Sequence, residues 1–181
     1  KVGVGPGTIC VTRIVTGCGV PQLTAVMEVA KVAKQYGIPL IADGGIQGSG
    51  DIVKAIGAGA DTTMMGSMFA GTDESPGIVM TKDGKKYKVY RGSASFTQSN
   101  TRKRFGLEKK KMKDVVPEGV ESLIAYKGPV EDIINQLVGG IKSGMSYTNS
   151  HTIAELKQNC DFIRITNAGR HESGTHDVQA L

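Results

Sequence analysis

The 181-residue sequence predicts an α/β fold of successive strand–turn–helix units, and three observations predict it. Two short apolar runs, 38–42 and 62–65, each end in a glycine turn. Segments of helical spacing alternate with them, so the unit recurs about every 20 to 25 residues, the grammar of a parallel sheet or a (β/α)8 barrel. A glycine-rich loop carrying a cysteine precedes the first unit, where a loop leaving a further strand belongs. A complete barrel takes roughly 250 residues and eight units. Two strands and the loop of a third are legible, so the expected fold is the C-terminal half of a barrel. Such a half needs its N-terminal half beside it, since an open parallel edge is rarely tolerated.

In the opening stretch KVGVGPGTICVTRIVTGCGVPQ, glycines free the backbone to turn sharply and to approach a ligand. Cys10 is flanked by the hydroxyls of Thr8 and Thr12 and by the cation Arg13. Exposed amides and a nearby positive charge can lower a thiol pKa, which suits a nucleophile. A small buried cysteine is the competing reading, and loop composition leaves both open.

Residues 21–36 carry Leu23, Val26, Met27, Ala30, Val32 and Ala33 at helical spacing, and Gly37 stops the helix. The run 38–42 reads as a strand buried on both faces, ended by Asp43-Gly44-Gly45. A helix is expected over 49–57, with Asp51 favourable in its first turn. The second buried strand, 62–65, ends at Gly66-Ser67. In barrels the strand C-termini carry the chemistry. Asp83-Gly84 is a hairpin signal between strands over 77–80 and 87–90. Lys and Arg dominate residues 93–114, a surface loop or a mobile basic flap over anionic ligands. A helix over 130–143 places Ile133, Ile134, Leu137 and Val138 on one face, with Gly139-Gly140 allowing close approach. A short helix over 153–159, a short strand over 162–165 and a polar tail over 168–181 complete the chain.

Composition narrows the class. The net charge of +5 is concentrated in one run, which argues against a nucleic-acid face. Three cysteines, at 10, 18 and 160, fit no metal spacing and leave one over in any disulfide scheme, so a reducing, cytoplasmic setting is expected. No apolar run is long enough to span a bilayer, and no membrane partner is expected.

The two glycine turns are anion cradles by physics: amides of Gly45, Gly66 and Ser67 can converge on one phosphate. Asp43 beside them suits the hydroxyls of a ribose. A phosphate and a ribose next to a thiol loop point to a nucleotide whose base reaches Cys10.

The strings GVGPGTICVTRIVTGCGVPQ, IADGGIQGSGDIVKAIGAGAD, MMGSMFAGTDESPG and YKVYRG resemble the inosine-5′-monophosphate dehydrogenase family and its relative GMP reductase over nearly the whole chain. The resemblance implies a (β/α)8 barrel, usually a homotetramer, of which residues 1–181 form the C-terminal part of one catalytic domain. It implies that Cys10 attacks C2 of the purine, that hydride leaves for NAD, and that the thioimidate is hydrolysed, converting IMP to XMP in guanine nucleotide biosynthesis. Thr8, Gly45, Gly66, Ser67 and Tyr90 match the positions that hold the 5′-phosphate, Gly92 matches a further substrate-binding position, and Asp43 matches the ribose ligand. Thr12 and Glu118 match a pair that handles protons beside the base. Gly5, Gly7 and the Cys10 carbonyl match a potassium site, completed by a neighbouring subunit's tail at Glu172, Ser173 and Gly174. The nicotinamide contacts are expected mostly in the N-terminal half. The tail and Val116-Pro117-Glu118-Gly119 look like the dehydrogenase, whose tail the reductases lack, so IMP oxidation is favoured. GMP reduction and a catalytically deficient regulatory homologue are the alternatives. Two departures stand out: Ser93-Ala94-Ser95 replaces the usual Met-Gly-Ser, and Arg104-Phe105 stands nearest the flap Arg-Tyr pair whose arginine activates water, with Arg102 competing.

Overall fold

The structure is a computed structural model, described here over residues 1–95, 104–106 and 116–178. Strands β1 (Ile41–Asp43) and β2 (Thr62–Met64) run parallel, with Ala42 opposite Thr63. Val2 bridges Ala42 on the other side of β1, donating to the Ile41 carbonyl and accepting from the Asp43 amide, both at 2.9 Å. Three parallel segments therefore lie in the order Val2, β1, β2, an arc of the expected sheet.

The short helix α1 (Thr12–Thr16), with no buried residue, follows the cysteine loop, while α2 (Gln22–Gln35) and α3 (Ser49–Gly57) supply the first layer around that arc. The core joins Val26 of α2, Leu40 and Ala42 at β1, and Ile52, Ala55 and Ile56 of α3. The central position of β1 explains why Ala42 is fully buried. The two strands are shorter and less covered than expected. Ile38 is 61% exposed, and Thr62 and Met64 face solvent because β2 pairs on its far side with no strand among the described residues.

A second sheet is antiparallel: β3 (Val79–Lys82), β4 (Lys85–Arg91) and β5 (Glu121–Ala125). Asp83 and Gly84 take φ of 50° and 73°, the left-handed pair of a tight hairpin. Sequence pattern did not signal β5, whose adjacent Leu123 and Ile124 break strand alternation.

Helix α4 (Val130–Tyr147) runs a turn beyond its expected end. Its inward stripe is Ile133, Leu137, Ile141 and Met145, while Ile134 and Val138 are more than 40% exposed, correcting the expected face. It crosses α3 closely because Gly140 lies against Ser49 and Gly144 against Val53. Helix α5 (Ile153–Asn159) has its N-terminus closed by two bonds. The Glu155 amide donates to the Thr152 hydroxyl at 3.1 Å, and Glu155 Oε2 accepts from the His151 amide at 2.7 Å. Asp61 accepts from the Leu40 amide and from Lys157 of α5, and these bonds hold its carboxyl below the usual carboxylate range. The expected strand at 162–165 is absent: Phe162 packs on the core, but Ile163 is 85% exposed with no strand beside it. Helix α6 (Asn167–Glu172) follows instead, capped by the Thr166 hydroxyl. No helix among the described residues is long and apolar enough to cross a membrane.

Candidate functional site

The cysteine loop lies across the C-terminal end of β1. Gly3 (φ 145°) passes so close to the Asp43 carbonyl and the Gln22 side chain that a Cβ would collide with both. Pro6 rests on the Gly44-Gly45 turn, where both glycines have positive φ, 87° and 79°. Arg13 was expected to act as a charge beside the thiol. The structure shows it as a strut: Nε donates to the Val4 carbonyl at 3.0 Å and Nη2 to the Val20 carbonyl at 2.7 Å, with Gly5 and Gly19 packed on its stem.

Cys10 is half-buried. Its Sγ lies 3.1 Å from Thr12 Oγ1, which donates to Glu118 Oε2 at 2.7 Å. With the Thr12 hydrogen committed to Glu118, the hydroxyl accepts from a protonated Cys10. Thiol, hydroxyl and carboxylate form one proton path. Backbone pairing holds the path in register. Val11 donates to the Glu118 carbonyl at 2.9 Å, Val120 to the Ile9 carbonyl at 3.0 Å, and Glu118 to the Ala94 carbonyl at 3.1 Å. Gly92 belongs to this crossing rather than to an open surface, since a Cβ added there would lie 3.4 Å from the Gly119 Cα and against Ile9.

The second cluster is built on the turn after β2. Thr8 Oγ1 donates to Ser67 Oγ at 3.0 Å, linking the cysteine loop to that turn. Tyr90 reaches Gly66 so closely that a Cβ there would lie 2.5 Å from its hydroxyl, and burial pushes the Tyr90 phenol up. Its hydroxyl stays a donor at neutral pH. The amides of Gly45, Gly66 and Ser67 donate to no acceptor among the described residues. The amides of Gly66 and Ser67 and the hydroxyls of Ser67 and Tyr90 thus present donors in one place beside Thr8, which suits an anion.

Asp43 pairs through Oδ2 with Lys1 at 3.0 Å, while Oδ1 takes no partner among the described residues. Arg104 is exposed and makes no hydrogen bond or ion pair among the described residues, so the structure does not bring it to Cys10. Arg102 and most of the basic flap, 96–103 and 107–114, lie outside the described residues, as do positions 179–181 of the tail. The carbonyls of Gly5 and Cys10 accept no hydrogen bond among the described residues, while that of Gly7 accepts from Cys10. These are hard oxygens on one loop and fit a large monovalent cation. Glu172, Ser173 and Gly174 lie at the exposed end of α6. No group of three His, Cys, Asp or Glu able to hold a metal exists among the described residues.

Two lysines escaped sequence reasoning. Lys88 is 2% exposed and donates to the carbonyls of Thr72, Asp73 and Ser75, at 2.7, 3.2 and 2.7 Å. Lys127 donates to the carbonyls of Ser67 and Met68 at 2.7 and 2.9 Å. A lysine within a strand or after one normally reads as solvated, so neither carried a signal.

Residues 1–176 match the family model described as IMP dehydrogenase / GMP reductase domain. The chain belongs to the IMP dehydrogenase/GMP reductase family. Among curated relatives it is 55% identical to a GMP reductase of Leishmania donovani, covering 100% of this chain and 37% of that protein. It is also 55% identical to an inosine-5′-monophosphate dehydrogenase of Nitrosopumilus maritimus, covering 98% of this chain and 38% of the relative. A solved GMP reductase variant from Trypanosoma brucei, in complex with guanosine 5′-monophosphate, superposes with a TM-score of 0.91 at 53% identity, over 99% of this chain and 36% of that one. The chain spans a little over a third of the length of these relatives, which agrees with a partial barrel. The Leishmania reductase aligns over the whole chain, tail included, so the tail does not separate dehydrogenase from reductase as expected. The family is one of oxidoreductases acting on purine nucleotides, and its two reactions are both represented among these relatives.

Proposed function

We propose that this chain carries the nucleophile and the phosphate cradle of a purine nucleotide oxidoreductase, and that its reaction is the NAD-dependent oxidation of IMP to XMP. The observation that supports this reading most is the continuous path from Cys10 Sγ through Thr12 Oγ1 to Glu118 Oε2. Glu118 takes the thiol proton through Thr12, and the Cys10 thiolate attacks C2 of the purine to form an S–C2 bond. Bound NAD supplies the acceptor for the hydride that leaves C2. Once the thiol proton has passed from Glu118 to solvent, the same carboxylate draws a proton from the water whose oxygen adds to C2. The S–C2 bond then breaks, the second water proton passes to purine N3, and the thiolate is reprotonated from Glu118 through Thr12. Thr8, Gly45, Gly66, Ser67 and Tyr90 hold the 5′-phosphate. The free oxygen of Asp43 accepts from the ribose hydroxyls. Carbonyls of Gly5, Gly7 and Cys10 would hold potassium, with Glu172, Ser173 and Gly174 of a neighbouring copy in a homotetramer, giving the loop a fixed positive charge.

GMP reduction is the second reading, and a specific observation favours it: the nearest match to the dehydrogenase flap's Arg-Tyr pair is Arg104-Phe105, which lacks the phenol. Relatives carrying the reductase name are as similar as those carrying the other. Steady-state assays of the intact protein decide between them. NADH formation with IMP and NAD is the expected result. NADPH consumption with GMP and no turnover of IMP would replace dehydrogenase by reductase, and inactivity in both directions with retained nucleotide binding would favour a regulatory homologue.

A further inference from the structure

We propose that Lys127 is a positioning residue for the nucleotide 5′-phosphate, acting through the turn at Gly66 to Met68 and not by touching substrate. The inference rests on the reading that this turn is the phosphate cradle. Three observations carry it.

The ammonium spans two consecutive carbonyls, Ser67 at 2.7 Å and Met68 at 2.9 Å. Those carbonyls sit one and two residues beyond Gly66, whose own carbonyl accepts from Phe69 and Ala70 and starts a tight turn. A peptide unit has one orientation: fixing a carbonyl toward Lys127 turns the opposed amides away from it. The Ser67 carbonyl shares its peptide unit with the Met68 N–H, so the bond to Lys127 turns that amide away from the lysine, on the same turn that Thr8 Oγ1 and Tyr90 Oη reach.

The lysine is itself held in register. Its amide donates to the Gly71 carbonyl at 2.9 Å, and Asp73 donates to the Gly128 carbonyl at 2.9 Å. Gly71 lies against the Ala125 carbonyl, where a Cβ would collide. Residues 125–128 therefore run alongside 71–73 as a rigid rail under the turn.

Lys127 also has no carboxylate partner among the described residues, so its charge is not neutralised locally. Burial pulls its ammonium below the usual lysine value. A phosphate seated on the outward amides faces that charge across one peptide layer.

The test compares nucleotide with nucleoside in the intact protein. Calorimetric affinities for IMP and inosine, or GMP and guanosine, are measured for the native protein, Lys127→Gln and Lys127→Met. Loss of a charge-assisted pair of bonds should weaken the monophosphate by about tenfold or more in Lys127→Met. Lys127→Gln, which keeps an N–H donor, should fall between. Affinity for the nucleoside should not change. Equal weakening of nucleotide and nucleoside, or no change in either, would overturn the proposal. Should Lys127→Met fail to fold, Lys127→Gln alone decides: an unchanged ratio of nucleotide to nucleoside affinity contradicts it. If the native protein binds nucleoside as tightly as nucleotide, the phosphate cradle itself is wrong, a failure distinct from that of Lys127.

Discussion

Thr12 and Glu118 are 106 residues apart in sequence and 2.7 Å apart in space, and one hydroxyl between them sets the chemistry available to Cys10. A threonine whose hydrogen is spent on a carboxylate has only lone pairs left for the thiol. Removing that oxygen cuts the path without changing the shape of the side chain. Thr12→Val should lower kcat by about a hundredfold to ten-thousandfold, the range for positioned acid–base groups, with nucleotide affinity near native. Thr12→Ser should restore most of the rate. A Thr12→Val protein with full kcat and weakened nucleotide binding would make Thr12 a binding residue and remove the path. That the Cys10 loop meets the Gly66-Ser67 turn was legible because hydroxyls and glycines cluster in both segments of the sequence. The strut formed by Arg13 was not legible, since sequence does not say which carbonyls a guanidinium will bridge. Lys127 was invisible for the same reason: its partners lie 59 and 60 residues away.

At the scale of elements, neighbouring glycines of α4 carry opposite instructions. Gly139 faces open space, whereas Gly140 meets Ser49 of α3 where the helices cross. Gly139→Ala should stabilise the protein by about 0.5–1 kcal/mol through helix propensity alone. Gly140→Ala should destabilise it by about 1–3 kcal/mol, because the added methyl forces the helices apart. Denaturant unfolding of the intact protein reads both signs, and a stabilising Gly140→Ala would refute the close crossing. The glycine pair was legible as a close approach, but periodicity could not say which member faces the neighbour. The same limit hid the inward stripe of α4: Ile134 and Val138 satisfy helical spacing as well as Ile141 and Met145 do. Helices α3 and α5 were read to the residue, and Asp51 in the first turn of α3 was the charge that marked its start. The run at 162–165 failed as a strand because apolar content without a neighbour to pair with does not make one.

At the scale of the whole molecule, the parallel arc, the antiparallel sheet and the cysteine loop converge on one end of β1. The loop rests on the Gly44-Gly45 turn, reaches Ser67 through Thr8, and is pinned to β5's approach through Val11 and Val120. The βα grammar was legible from glycine turns after apolar runs. The antiparallel sheet was legible only in its hairpin, since β5 joins β4 across a long and irregular connection. That sheet sets the reading of function, because it delivers both Glu118 and Tyr90 to the loop. The central claim is that Cys10 is a nucleophile inside a purine monophosphate site, and covalent labelling tests it most directly. The intact protein is treated with 6-chloropurine riboside 5′-monophosphate, and the adduct is located by peptide mass mapping. The account predicts a single adduct on Cys10, none on exposed Cys18 or on Cys160, and protection by IMP or GMP. Labelling that follows exposure to Cys18, or that nucleotide does not prevent at Cys10, would contradict it.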